Sequence, residues 1–303
     1  MKILLCIQSF TVGLIQTKLS ALRILLQSNF IGIIKHESQT KPLLILGNGP
    51  SLNDTLNNNP AAVLQEFDLM AVNAAACSEQ FSALQPKLYI LNAVTYFQND
   101  SELSPFYIQA KNDLFKALKE KTRWNMTLLV PFRAKKSIDF QMLLTSNPNL
   151  YVSYFNQTPV EGLSFWSHSW YNLGLGMPRP HNVLIPGIMV GIRLGYKTIG
   201  IVGADHSWLV DLTVNNENEA LLRHVHYYDT DGTQPMKVED RIVRPRKLHE
   251  IIHKFYLSFK GYWQIKAYAN TKQVSIINAS SVSMIDAFDR KSLAELLNVT
   301  EEN

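Results

Sequence analysis

Pro42-Leu43-Leu44-Ile45-Leu46-Gly47-Asn48-Gly49-Pro50-Ser51-Leu52 decides the fold. Its short apolar run reads as a strand buried on both faces of a parallel sheet. The run stops at Gly47-Asn48-Gly49, where glycines let backbone approach a ligand closely. Pro50 suits the start of a helix, whose amide end then faces the strand ends and attracts phosphate. The turn is neither the Gly-x-Gly-x-x-Gly dinucleotide fingerprint nor a Walker loop, since no lysine follows it. A nucleotide held by polar side chains and amides fits better.

Outward from this stretch the same pattern recurs. Leu69–Val72 ends in Asn73, Lys87–Leu91 ends in Asn92, and Thr127–Val130 ends in Pro131. Thr198–Val202 ends in Gly203-Ala204-Asp205. Helical spacing fills 101–120, 187–195 and 246–260. Alternating strands and helices predict an α/β fold, a doubly wound and mainly parallel Rossmann-like sheet with right-handed crossovers. Ligands of such sheets bind beyond the carboxyl ends of the strands. Asn48, Asn73 and Asn92 stand there, each with an acceptor and two donors. Asn also favours turns after strands, but three together favour a ligand site. Near the C-terminus a strand-like run at 274–277 leads to Ser280 and Ser281, either nucleotide contacts or a helix cap. Residues 283–288 are expected to open a final helix.

Composition narrows the classes. Of 303 residues 46% are hydrophobic, enough for a sizeable core and too many for a disordered chain. Cys6 and Cys77 make neither a disulfide framework nor a metal pattern, which fits a reducing compartment. The net charge of +4 suits an anionic substrate or membrane surface and does not call for nucleic acid. That charge is uneven: Lys2, Lys18, Arg23 and Lys35 all precede the first acidic residue, Glu37. Residues 1–38 therefore read as an arm before a single domain at 39–303. Polar residues interrupt the arm too often for a signal peptide or a spanning helix. Val12, Ile15, Leu19, Leu22 and Leu26 recur at three- and four-residue steps, the spacing of an amphipathic helix. Such a face ordinarily packs on the protein core or a second subunit. Its basic character also suits an anionic leaflet.

The segments Leu46–Leu52, Val72-Asn73 and Leu91-Asn92 resemble the bacterial sialyltransferases of the Campylobacter lipooligosaccharide type. They are also similar to a wider group with flagellin-modifying nonulosonate transferases and hydroxymethylpterin diphosphokinase-like proteins. Pro186-Gly187, Leu194-Gly195-Tyr196-Lys197 and Gly203-Ala204-Asp205 extend the likeness. It covers about residues 42–100 and 182–210. The resemblance implies a glycosyltransferase that passes a sugar, sialic acid or another nonulosonate, from a nucleotide donor to a hydroxyl of a surface glycan or glycolipid. It assigns CMP contacts to Asn48, Asn73 and Asn92, and implicates the turn at Ile185-Pro186-Gly187. There Pro186 replaces a serine of the family and supplies neither hydroxyl nor amide hydrogen. Gly47, Gly49, Ser51, Gly187, Asp205 and Ser280 complete the expected nucleotide site. No metal or resident cofactor is implied, whereas the diphosphokinase alternative needs Mg²⁺, with Asp205 as its carboxylate. A non-catalytic nucleotide- or glycan-binding protein is the third alternative. The cytoplasm, or the inner face of its membrane, is the implied location, and self-association is a further expectation.

Transfer to a hydroxyl needs a base, and imidazole titrates in the useful range. The resemblance expects that base on a mobile segment after the fifth strand, here a lid at about 206–245. His226 is favoured, then His206, with His224 beside them. His224-x-His226 with Asp229 also has the spacing of a metal site, ranked below the base. Arg241 and Arg244, within the basic run 237–247, are candidates for the donor's phosphate or carboxylate; a solvated charged face is the ordinary alternative. Trp166, Trp170, Tyr227 and Tyr228 are candidates for an acceptor surface, though aromatics are more often core.

Overall fold

The computed structural model describes residues 2–31, 39–223, 236–237 and 244–301. In chain order it forms α1 (Lys2–Gln27), β1 (Leu43–Leu46), α2 (Ser51–Asn58), α3 (Ala61–Gln65), β2 (Asp68–Val72), α4 (Phe81–Leu84) and β3 (Leu88–Ile90). There follow α5 (Pro105–Lys121), β4 (Met126–Pro131), α6 (Ile138–Ser146), β5 (Leu150–Phe155), α7 (Ser164–Asn172), α8 (Leu184–Arg193) and β6 (Thr198–Val202). Last come β7 (Leu212–Val214), β8 (Ala220–Leu222), β9 (Met236–Lys237), α9 (Leu248–Thr271), β10 (Ser275–Asn278), β11 (Asp289–Arg290) and α10 (Leu293–Glu301). The alternating, mainly parallel α/β class is present.

The chain divides into two compact units, neither of them continuous. The first comprises Met1–Thr40 and Asn73–Tyr196, the second Lys41–Val72 and Lys197–Asn303.

In the second unit the strands run β11-β10-β6-β1-β2, all parallel. β1 is central: Leu43 registers with Asp68 on one side and Ile199 on the other. Leu43, Leu44, Ile45, Ile199 and Ile201 have no exposure, as a two-faced burial of an apolar run requires. α9 reaches well beyond residue 260, because Ile251, Phe255, Ser258, Tyr262, Ile265 and Ala269 keep one buried face in step. Part of the expected lid segment is ordered into a small antiparallel sheet, β7-β8-β9. Ala220 and Leu222 pack on Ile251 and Phe255 of α9, with Trp208 beside them.

The expected helix at 283–288 is not there. The Ser283 hydroxyl donates to the Ala204 carbonyl (2.6 Å) and accepts from the Ile285 amide (3.2 Å), while the Met284 amide donates to the Asp205 carbonyl (2.9 Å). These bonds hold the segment against the β6 end in place of a helical turn. The final helix begins later, behind a capping box at Ser292 and Glu295.

In the first unit β3, β4 and β5 are parallel neighbours. β5 carries no continuous apolar run: Leu150, Ser153 and Phe155 are buried while Tyr151 is exposed, so it escapes a search for apolar strands. α8 is buried from Leu184 to Ile192, as a helix apolar on all sides must be. It starts three residues earlier than its sequence pattern, because the Asn182 side chain accepts from the Leu184 and Ile185 amides.

α1 forms as expected, and its periodic apolar face is not the one that docks. Its contacts come from small and polar residues. The Ser20 hydroxyl donates to the Glu161 carbonyl and accepts from the Glu161 amide, both at 2.9 Å. The Thr17 hydroxyl accepts from the Leu163 amide, and Gly13 lies against the Leu163 side chain. Arg23 reaches the Glu161 carboxylate at 3.3 Å, which Arg179 clamps through two bonds of 2.8 Å. Val12, Ile15, Leu19, Leu22 and Leu26, the periodic apolar face, are 47–74% exposed.

Candidate functional site

The second unit builds its strand-end site around the Gly47-Asn48-Gly49 turn. Gly47 donates to the Val202 carbonyl and Gly49 to the Gly203 carbonyl, each at 2.8 Å. A Cβ on Gly47 would strike the Gly203 carbonyl, and one on Gly49 would strike the Asp205 carboxylate. The glycines therefore admit the end of β6, where the sequence reading had expected a ligand. Gly203 itself takes a left-handed φ of 62°.

Asp205 closes the phosphate seat at the start of α2. One carboxylate oxygen accepts from the Ser51 amide (3.0 Å) and the other from the Ser51 hydroxyl. An internal carboxylate thus occupies the positive end of the helix, and Ser51 is buried behind it. Ser51 and Asp205 hold each other. Asp205 does not fit the open Mg²⁺ ligand of the diphosphokinase alternative, and no group of three His, Cys, Asp or Glu among the described residues is arranged to hold a metal.

Asn48 differs from its neighbours. Its Oδ1 is buried and has no hydrogen-bond partner. A buried orphan acceptor costs free energy until something donates to it. Ser280, by contrast, is spent on the fold: its hydroxyl accepts from the Ala204 amide (3.0 Å) and its amide donates to Asn278 (3.2 Å). Asn278, missed by the sequence reading, has no exposure and also donates to Ser283 (2.9 Å). Its signal was available, as another strand-end Asn.

His206 follows in a left-handed turn, φ 52°. Its Nε2 lies 2.5 Å from the Tyr262 hydroxyl, and its ring stacks on Trp208 at 4.0 Å. Burial pushes the imidazole down to about 3. So weak a base is mismatched to neutral pH, and the ring instead pins the β6 end to α9. His224, His226, Asp229, Tyr227, Tyr228 and Arg241 lie outside the described residues. Arg244 donates to Glu250 at 2.8 Å and is half exposed. That bond and the Lys247 backbone amide hold the Glu250 carboxyl down at about 2, so Arg244 already has an anion.

The first unit treats its two strand-end asparagines differently. Asn92 is saturated: Nδ2 donates to the Pro180 and Asn182 carbonyls (3.1 and 3.2 Å), and Oδ1 accepts from Gln157 (2.6 Å). It fastens the loop before α8. Asn73 takes a left-handed φ of 47°, its carbonyl accepts from the Tyr89 hydroxyl (2.5 Å), and its Oδ1 is buried without a partner. Gly187 lies buried in the first turn of α8, its amide bonded to the Val183 carbonyl. The stretch 185–187 is thus helix and not a preceding turn. Trp166 is half exposed on α7, its ring tilted 34° to that of Trp170 at 6.2 Å.

Parallel strands ending in polar turns define an open α/β protein of the kind that binds ligands at its strand ends. No family model matches the chain, and no curated protein matches it by sequence. Among solved structures it is similar to the MAf glycosyltransferase from Magnetospirillum magneticum AMB-1, with 13% identity and a TM-score of 0.45. That similarity takes in 97% of this chain and 42% of the other, so this chain spans less than half of that protein's length.

Proposed function

We propose that the protein is a glycosyltransferase, moving a sugar from a nucleotide-activated donor to a hydroxyl of a surface-glycan or glycolipid acceptor. The donor by resemblance is a CMP-activated nonulosonate. The observation that carries the reading is Asn48, whose buried acceptor has no protein partner in a turn built by Gly47 and Gly49. A nucleotide supplies the missing donor from a base amino group or a ribose hydroxyl. With α2 already capped by Asp205, side chains and not helix amides are the ligand's partners in this turn.

The proposed chemistry is direct displacement. His226, with His224 as its neighbour, takes the acceptor's proton as the new bond to the anomeric carbon forms, and the nucleotide leaves with the electron pair. Arg241 is the proposed partner of the leaving phosphate or the sugar carboxylate. The reaction needs no resident cofactor, and its proposed place is the cytoplasm.

The test is CMP release from CMP-nonulosonates with oligosaccharide acceptors. Release should survive EDTA, fall about 100-fold in His226→Ala, and fall in Asn48→Ala. Turnover of a different nucleotide sugar alone sinks the CMP assignment. A thermal shift with nucleotide but no turnover of any donor identifies a binding protein instead.

A further inference from the structure

α1 turns its hydrophobic side away from its own unit. Gly13, Thr17, Ser20 and Ile24 face the protein. Ile7, Leu14, Ile15, Leu19, Leu22 and Leu25 are 38–82% exposed. At 100° per residue these six side chains span an arc of roughly 140°. Phe30, just past the helix, is 90% exposed, and Phe165 and Trp166 at the start of α7 are 74% and 48% exposed. α7 adjoins α1 through the bond between Leu163 and Thr17.

We propose that this face lies flat on an anionic lipid bilayer. The arc is wider than the a/d seam of a two-stranded coiled coil. Pairing two copies would also bring basic residues together with no acid before Glu37 to balance them. A leaflet of anionic lipid supplies that balance: Lys18 is exposed, and Lys2 and Lys35 flank the segment. Phe and Trp beside the helix are the residues that settle at headgroup depth. No helix among the described residues is long and apolar enough to cross a membrane, so the contact is with the surface. The proposal stands apart from the transfer reaction.

The test is cosedimentation of the full chain with vesicles of phosphatidylglycerol and phosphatidylethanolamine, against vesicles of phosphatidylcholine alone. The protein should pellet with the anionic vesicles and be released by salt. Leu22→Glu should weaken partitioning about tenfold, and Lys18→Glu about fivefold. Both positions are exposed, so thermal melts should match wild type, and Lys18→Glu carries the test if Leu22→Glu melts early. Three results overturn the proposal: no binding to anionic vesicles, equal binding to both, or a dimer in sedimentation velocity that Leu22→Glu dissolves without vesicle binding.

Discussion

Asn48 and Asn92 look alike in sequence: each follows an apolar run of a parallel strand. In the fold they are opposites. Asn92 spends its side chain on Pro180, Asn182 and Gln157, while Asn48 keeps a buried acceptor with no partner. A strand-end asparagine is thus a structural staple or a reserved contact according to what lies opposite it. What lies opposite is set by residues far away in the chain.

Four experiments break or sharpen this contrast. The largest effect is expected from Gly47→Ala, because the new methyl meets the Gly203 backbone. It should cost about 3 kcal/mol in denaturant unfolding; a neutral result would mean that the turn can yield to a methyl group. Asn92→Ala should cost about 2 kcal/mol, by leaving Gln157 and two carbonyls short of partners. Its melting temperature falls while nucleotide affinity per folded molecule changes little. Asn48→Ala should do the reverse, with unchanged stability and roughly tenfold weaker nucleotide binding by calorimetry, about 1.4 kcal/mol. If it destabilises like Asn92→Ala, the contrast is gone.

The smallest effect concerns the α1 tether. Burial alone would raise the Glu161 carboxyl, but Arg179 and then Arg23 outweigh it and hold it below its ordinary value. A depressed carboxylate stabilises the fold above its unfolded pKa and loses that contribution as pH falls through the folded one. The arm should therefore be cut faster by an acid-active protease as pH drops below about 4.5. The same experiment on Glu161→Gln should show a flat profile. The free energy involved is below about 1 kcal/mol after solvent screening.

Legibility followed the physics of each element. β1, β2, β4 and β6 were plain because two-faced burial demands continuous apolar runs. β5 was hidden by its alternation, and the break at 283–288 by hydrogen bonds to Ala204 and Asp205 that no local pattern encodes. At the candidate site the sequence located the strand ends but not their partners. That Asp205 would fill the α2 terminus required β1 and β6 to be neighbours. Tyr262, which pins His206, sits mid-helix with nothing nearby to single it out. The amphipathic period of α1 was legible, but the residues that dock it were not, since small polar side chains make the contact.

The discontinuity of the second unit sets the order in which the chain can fold on the ribosome. β1 is synthesised early, yet Leu43 registers with Ile199. Its open edge must wait while Asn73–Tyr196, most of the first unit, emerges and folds. That long wait before closure is the mark of a high contact order, and it leaves the most apolar strand of the sheet as the segment a nascent-chain chaperone would have to cover.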